Sequence, residues 1–418
     1  MIFHHNTLPN GLTIIGEVIP AAQSVAVGFF VKTGSRDESE DVWGVSHFLE
    51  HMVFKGTQRR NYLDVNIEFD SIGAMYNAFT SEENTVFYAA VLPEYLPRAV
   101  DLLSDILRPA LRGEDFNMEK KVILEEIGMY EDQPMWCAYE LAKKAYFAGH
   151  PLGRSVLGTN HSITELTRDQ MQAYFDRRYV APNITVALAG NFDWEAAVAL
   201  IEKHCGGWPR GAAPRGNRRE LPGSAAFEVV PKKKVNQEHV FMISPAPSAS
   251  SPLRHAADVL AMILGDDSGS RLYWSVVDRG LADSADVGFH DYDGTGTFFT
   301  SYTCEPKNAQ KVLGIIQGVF RQTQHDGVSE EELAQAKSKV LSRIVRASER
   351  PMGRMQALGM SWTYLKKYRS MDDELKAFEA VTTKKIDQVL EKYSLEKPTV
   401  LALGPLKTLK KADVKSRK

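Results

Sequence analysis

One order of helices and strands occurs on both sides of a break near the middle of the chain. Residues 162–190 have the pattern of a short helix, a longer helix and the strand 184–188, and residues 373–404 repeat this order up to the strand 400–403. A Pro, Gly and Arg cluster from Pro209 to Pro222 lies between the copies. The repeat favours two α+β domains related by duplication, each with an antiparallel or mixed β-sheet covered by α-helices.

The length of the chain allows this arrangement, because 418 residues are enough for two hydrophobic cores. We expect a first domain at residues 1–210, a linker at 211–230 and a homologous second domain at 231–418.

A motif with chemical meaning lies in the first copy, where His47, Glu50 and His51 form His-x-x-Glu-His, the inverse of a common zinc-protease motif. At about 100° per helical residue, these three side chains share one arc. The apolar residues of the same segment occupy a different arc: Val45, Phe48, Leu49, Met52 and Val53. The segment therefore predicts a helix with one buried face and a neighbouring face that presents metal ligands. The alternative is a surface helix with two ordinary histidines.

A third metal ligand is predicted in a second helix, over residues 119–132. Glu119 and Glu126 are seven residues apart and therefore only about 20° apart on a helical wheel. Val122, Ile123 and Ile127 surround that direction, whereas Glu125 lies on a charged face. A half-buried Glu126 is costly unless it is paired or bound to a metal. The alternative is an amphipathic helix whose glutamate is satisfied within the protein.

These motifs resemble the pitrilysin/insulinase family of zinc peptidases, and most of all its short-subunit branch, which includes mitochondrial processing peptidase. The resemblance rests on Gly44-x-x-His47-Phe48-Leu49-Glu50-His51 and on Glu126, which follows 75 residues after His51. It extends to the opening strand 8–12, the segment 77–85 and the loop 150–158. Together these blocks span most of residues 8–190, and weaker similarity continues to the C-terminus.

The resemblance and the chemistry of the residues imply the same roles. His47, His51 and Glu126 would hold Zn²⁺, and Glu50 would act as the general base. Glu119 would orient a ligand.

The resemblance further implies that Asn77, Ala78 and Phe79 form an edge strand that pairs with a peptide substrate. An ordinary core strand is the alternative for this segment.

The second copy serves as an internal comparison for the metal site. Ala336 aligns with Glu119, Arg343 aligns with Glu126, and the segment 255–264 lacks the paired histidines. Only the first domain is therefore expected to hold zinc.

The second copy also departs from the family. Members that act as single chains or homodimers have an Arg and a Tyr seven residues apart around a Gly-Leu pair, and both contact the bound peptide. Here Gly280-Leu281 places Val276 and Asp283 at those positions, and the nearby Arg271, Arg279 and Tyr273 do not have the required spacing. We therefore expect a heterodimer in which a homologous partner subunit supplies the Arg/Tyr pair.

Composition limits the other possibilities. A net charge of −3 gives no electrostatic reason to expect nucleic acid or a membrane as partner. Three widely spaced cysteines indicate neither a disulfide framework nor a thiolate metal cluster. The absence of a leader-like segment after Met1 favours the cytoplasm, although a processed organellar or periplasmic form would look the same.

The sequence as a whole predicts a zinc metalloendopeptidase that hydrolyses peptides or unfolded segments in a chamber between two subunits. A non-catalytic structural or assembly subunit with the same fold, as in respiratory complexes, is the main alternative. A peptide-binding, chaperone-like protein with a purely structural zinc is another. The intact set of His47, Glu50, His51 and Glu126 argues against the first alternative.

Overall fold

The computed structural model describes residues 1–216 and 223–411, and the described chain divides into two compact units. Unit 1 comprises Met1–Gly128, Ser155–Gly216 and Val345–Met371. Unit 2 comprises Met129–Arg154 and the described parts of Asn217–Ile344 and Asp372–Lys418. Residues 217–222 of the expected linker lie outside the described residues.

Unit 1 is built on a mixed sheet. Its strands are β1 (Ile2–Thr7), β2 (Thr13–Val18), β3 (Val25–Val31), β4 (Met75–Thr80), β5 (Thr85–Val91) and β6 (Ile184–Gly190). Within the described ranges their order is β1-β2-β6-β3-β5-β4, so that β4 lies at an edge. β2 and β6 run parallel, and the other neighbours run antiparallel. The central strand β3 is buried along its whole length, as its uninterrupted apolar sequence requires.

Among its described residues, unit 2 repeats this sheet without a counterpart of β1. Its strands are β7 (Phe227–Pro231), β8 (Glu238–Ala246), β9 (Ser284–Asp291), β10 (Gly296–Cys304) and β11 (Thr399–Gly404). Their order in the described residues is β7-β11-β8-β10-β9, with β7 and β11 parallel and the other pairs antiparallel. The order and the directions match those of β2-β6-β3-β5-β4. This confirms the predicted fold of two helix-covered sheets.

Helices connect and cover the strands of both units. They are α1 (Val45–Val53), α2 (Tyr62–Ser71), α3 (Leu96–Ile106), α4 (Gly113–Glu131), α5 (Pro134–Tyr146), α6 (Asn160–Glu165), α7 (Arg168–Arg178), α8 (Trp194–Cys205), α9 (Arg254–Gly265), α10 (Pro306–Asp326), α11 (Glu330–Ser348), α12 (Pro351–Leu365), α13 (Met371–Glu379) and α14 (Thr383–Lys392). The order α6-α7-β6 recurs as α13-α14-β11. Among the described residues, none of these helices has the length and apolar character needed to cross a membrane.

The compact units differ from the expected contiguous domains 1–210 and 231–418, because each unit contains a segment from the other half of the sequence. In unit 2, Ala138 and Ala142 of α5 pack with Phe241 and Leu401 of the sheet. In unit 1, residues of α12 pack with residues of β3 and β6. The position of each helix is decided by the sheet against which its apolar face is buried. The Pro, Gly and Arg cluster in the sequence gives no information about this packing. The expected linker also ends too late, since β7 begins at Phe227 and pairs with β11.

A buried ion pair fixes α12 within unit 1. Arg354 of α12 donates to both carboxylate oxygens of Glu17 on β2, at 2.5 and 2.6 Å. The Tyr368 hydroxyl donates a further bond of 2.6 Å to Glu17. Because Glu17 is fully buried, these donors replace the hydration that its carboxylate loses on folding.

Candidate metal centre

The metal-binding motif lies on α1, which follows Gly44. Gly44 has φ of 94°, and a Cβ at this position would lie 2.8 Å from backbone atoms of Leu157 and Gly158. A residue with a side chain would therefore be strained and would clash. After this turn, the five apolar residues of α1 named above are buried. The predicted division between a core face and a ligand face of the helix is thus present in the structure.

A buried carboxylate caps α1 from outside the helix. The two oxygens of Glu38 accept hydrogen bonds from Gly44 N at 2.7 Å and Ser46 N at 2.8 Å. They satisfy backbone donors at the positive end of the helix, where a negative charge is stabilising. Sequence reasoning missed Glu38, because it precedes the helix by seven residues and so lies outside the usual capping positions.

Helix α4 supplies the carboxylates opposite α1. Ile123 and Ile127 are buried and Glu125 is exposed, so the predicted rotation of this helix is broadly reproduced. Val122 differs from the prediction, because 42% of it is exposed. Its position between the buried and the charged faces of the helix explains this difference.

His47 and His51 of α1 converge with Glu126 of α4. Their candidate ligand atoms all lie within 4.8 Å of one another. The Oε2 atom of Glu126 is 3.8 Å from Nε2 of His47 and 3.6 Å from Nε2 of His51. Although this Oε2 atom is buried, it has no hydrogen-bond partner among the described residues.

This donor set fits a zinc ion. Zinc bonds of about 2.0–2.1 Å in a tetrahedral arrangement place two ligand atoms roughly 3.3 Å apart. The observed separations of 3.6 and 3.8 Å are close to that value. Two imidazoles and one carboxylate also leave a fourth position open, as in catalytic zinc sites.

Burial and neighbouring charges tune the protonation of this group. Burial and, to a smaller extent, the charge of His51 lower the pKa of His47 to about 3, so His47 is neutral and keeps a lone pair for a metal. Burial also lowers the pKa of His51, but the Glu119 hydrogen bond and nearby carboxylates outweigh it and raise the pKa overall. Burial raises the pKa of Glu126.

Glu119 lies behind His51. Its Oε1 atom is 2.8 Å from Nδ1 of His51, and its Oε2 atom is 2.6 Å from Nζ of Lys55. Only 3% of Glu119 is exposed. A carboxylate at Nδ1 directs the lone pair of Nε2 toward the metal position. Sequence reasoning found Glu119 through its spacing from Glu126. It missed the contact of Glu119 with Lys55, which is four residues after His51.

Glu50 points toward the edge strand and is not one of the grouped ligands. The Thr80 hydroxyl, at the end of β4, donates to Oε2 of Glu50 at 2.5 Å. Burial raises the pKa of Glu50, and the Thr80 hydrogen bond opposes this effect. Sequence reasoning missed this contact, although strand alternation places Thr80 on the same face as Ala78.

The segment of Asn77, Ala78 and Phe79 lies in β4. These residues pair with Tyr88, Phe87 and Val86 of β5 on one side. On the other side of β4, no strand is paired within residues 1–216 and 223–411. Asn77 is exposed, whereas Ala78 and Phe79 are half-buried. The segment is therefore an edge strand and not an interior one.

Unit 2 has an ion pair at the position that corresponds to Glu126. Glu126 is the fourteenth residue of α4 and Arg343 the fourteenth of α11. Arg343 pairs with Asp266 at the end of α9, and Lys339 also contacts Asp266 at 2.7 Å. These opposite charges satisfy one another within unit 2, and the expectation that only the first domain holds zinc stays a prediction.

Val276 and Asp283, which occupy the positions of the missing Arg/Tyr pair, both lie in unit 2. Val276 is fully buried in a π-helical turn, and Asp283 accepts a 2.5 Å hydrogen bond from Gln237. Arg271 is engaged by Glu332 at 2.7 Å and by the Thr323 hydroxyl at 2.7 Å. Arg271 thus has structural partners of its own.

Comparisons with known proteins agree with this architecture. A family model described as Insulinase (Peptidase family M16) matches residues 13–160, which contain the grouped ligands and Glu50. A second model, described as Peptidase M16 inactive domain, matches residues 165–340. A solved structure of a protease from Helicobacter pylori covers 97% of this chain and 99% of its own, with a TM-score of 0.90 at 21% identity, which is a likeness of fold.

Similarity in sequence extends over nearly the whole chain. An uncharacterized zinc protease of Mycobacterium bovis is 35% identical over 405 residues, which cover 96% of this chain and 92% of that protein. An uncharacterized zinc protease of Bacillus subtilis is 29% identical over 96% of this chain and 97% of that protein. The two-sheet fold, the family models and the extent of this similarity together show that the chain belongs to peptidase family M16.

Proposed function

We propose that this protein is a zinc-dependent metalloendopeptidase of the His-x-x-Glu-His type. The observation that carries the proposal is the convergence of His47, His51 and Glu126 within 4.8 Å, next to a half-buried Glu50 that is not one of the three. A purely structural zinc site is closed by four protein ligands. It therefore needs neither an open position nor an additional carboxylate beside it.

The roles of the residues follow from their positions. When bound, zinc would supply a Lewis acid that lowers the pKa of a coordinated water to about 7 and polarises the scissile carbonyl. Glu50 accepts a proton from the attacking water at its carboxylate and later delivers it to the leaving amine. Glu119 keeps the His51 ring oriented through Nδ1, at 2.8 Å.

The substrate class is inferred from β4. An unpaired strand edge presents backbone donors and acceptors in a row, which an extended peptide satisfies by adding as a further strand. Because Thr80 of this strand contacts Glu50, a peptide paired along β4 would run beside the catalytic base. This arrangement favours unfolded or extended segments as substrates over folded proteins.

We further propose that the chain is the metal-bearing subunit of a heterodimer, whose homologous partner supplies an Arg/Tyr pair. A buried Val276 cannot donate a hydrogen bond, and Asp283 would place negative charge near a developing oxyanion. Removal of one oxyanion donor commonly costs about 10²–10³ in rate, so the chain alone should be a poor enzyme.

The catalytic proposal is tested with Glu50→Gln in the purified chain, together with any partner that parent turnover requires. Zinc content is measured by elemental analysis, and hydrolysis is followed with a quenched fluorescent peptide, with and without a chelator. We expect stoichiometric zinc in both proteins and a loss of about 10²–10⁴ in rate for the variant. Parent-like cleavage by Glu50→Gln would remove Glu50 as the base. A parent that binds zinc but hydrolyses no peptide, with or without partner, would favour a non-catalytic subunit.

The heterodimer proposal is tested by comparing the zinc-loaded chain alone with the chain mixed with a homologous subunit from the same source. Activity that recovers only on mixing, and disappears when the Arg or Tyr of that subunit is replaced, would support it. Full activity of the isolated chain would refute it while leaving the zinc peptidase proposal intact.

A further inference from the structure

We propose that Thr80 is a positioning residue for the general base, and that a buried network of ion pairs and hydrogen bonds holds its hydroxyl against Glu50. This inference rests on the proposed function, since it assigns a role in the peptidase reaction. Thr80 acts through Glu50 and has no direct role in the chemistry.

The contact itself is short and directional. The Thr80 hydroxyl donates to Oε2 of Glu50 at 2.5 Å, a length typical of a hydrogen bond to a charged carboxylate. Glu50 has three rotatable side-chain bonds, so without this bond its carboxylate could occupy several orientations. One oxygen held by Thr80 leaves the other oxygen free to face a water molecule.

The hairpin that carries Thr80 is anchored by charge. The turn after β4 closes through Ser81 N and Asn84 O at 2.8 Å. Within it, Glu83 is 1% exposed and accepts a 2.6 Å bond from Arg36. The backbone N–H of Arg36 also donates to Glu82 O at 2.8 Å. Two independent bonds from one residue thus fix the turn next to Thr80.

The same short segment also holds the helix that carries Glu50. Arg36 binds the hairpin, and Glu38, two residues later, caps α1 at Gly44 N and Ser46 N. Asp37 lies between them and pairs with Arg215 at 2.8 Å. Residues 36–38 therefore hold both the helix that carries Glu50 and the hairpin that carries Thr80.

Close packing of backbone against backbone supports this arrangement. A Cβ at Gly34 would lie 2.2 Å from Ser81 O and 2.7 Å from Glu82 O. The segment before Arg36 can thus approach the hairpin only because residue 34 lacks a side chain.

The test uses Thr80→Val, which removes the hydroxyl and keeps the shape, and Thr80→Ser, which keeps the hydroxyl. Thr85→Val is the matched control, because Thr85 is paired with Thr80 across the hairpin but donates to Thr33 O, at 3.0 Å, and not to Glu50. Glu50→Gln is measured in parallel. For each variant, kcat, KM, bound zinc and the thermal midpoint are determined on the full chain, with the partner subunit present if parent turnover requires it.

We expect Thr80→Val to lower kcat about 10-fold to 100-fold, because small misplacements of a reacting group have effects of this size, while KM and zinc content stay within about twofold. Thr80→Ser should restore kcat to within about threefold of the parent, and Thr85→Val should lower only the thermal midpoint.

Two results would overturn the inference while the peptidase proposal stands: parent-like kcat in Thr80→Val, or no recovery in Thr80→Ser, each with an inactive Glu50→Gln. An active Glu50→Gln would overturn the peptidase proposal and this inference together.

Discussion

Replacement of Glu119 by Gln should weaken zinc binding without removing a ligand. The buried carboxylate of Glu119 joins two groups, Nδ1 of His51 at 2.8 Å and Nζ of Lys55 at 2.6 Å. Glutamine has the same shape but no charge, and its amide has one oxygen for two positions that both require an acceptor. The His51 ring then loses either its orientation or the carboxylate that makes it a better ligand.

The expected size of the effect follows from the type of contact. Loss of a partner behind a metal-binding histidine typically costs 10–100-fold in affinity, which is about 1.4–2.8 kcal/mol. Because zinc that binds only the native state stabilises it by RT ln(1 + [Zn]/Kd), zinc should stabilise Glu119→Gln by about 1.4–2.8 kcal/mol less than it stabilises the parent at the same free zinc concentration.

Two measurements check this prediction. Competition with a zinc-binding dye at pH 7 gives Kd, and denaturant unfolding with and without zinc gives the stabilisation that zinc confers. Glu125→Gln is the control, since Glu125 is exposed on the same helix. Zinc affinity of Glu119→Gln within about threefold of the parent, in a folded protein, would refute the role assigned to Glu119.

Three further outcomes are expected. Glu126→Gln removes a candidate ligand and should reduce zinc retention more than any change at Glu119, as elemental analysis after dialysis will show. Arg354→Met leaves the buried Glu17 without its cation and should cost about 3–5 kcal/mol in urea unfolding, with partial recovery when Glu17 is also replaced by Met. The hydrogen bond from Arg271, together with bonds from Ser329, lowers the pKa of Glu332 from 4.5 to about 2, so the Arg271–Glu332 pair stabilises the protein above pH 4.5 and loses its effect as the pH falls toward 2. The difference in unfolding free energy between parent and Arg271→Gln should therefore be largest near neutral pH and vanish at low pH; a difference independent of pH would contradict this assignment.

Local sequence was sufficient wherever one helix or strand carries the information. The period of 3.6 residues placed His47, Glu50 and His51 on one side of α1, and the spacing of seven placed Glu119 and Glu126 together on α4. Each of these relations lies within a single helix, so periodicity alone defines it. The repeated order of helices and strands likewise predicted two sheets, because the duplicated segments keep their own apolar patterns.

Tertiary structure decided what depends on contacts between distant segments. The cap that Glu38 places on α1, the hydroxyl that Thr80 places on Glu50 and the position of Lys55 behind Glu119 all join separate elements or successive turns. A local sequence pattern does not show which side chain of a distant helix, strand or loop will make such a contact. The positions of α5 and α12 could not be predicted from the sequence either. Helix α5 lies in the first half of the sequence but belongs to unit 2, and α12 lies in the second half but belongs to unit 1. Each of these helices is stabilised by burying its apolar face against one of the two sheets. Which sheet this is depends on tertiary packing and not on the sequence of the helix.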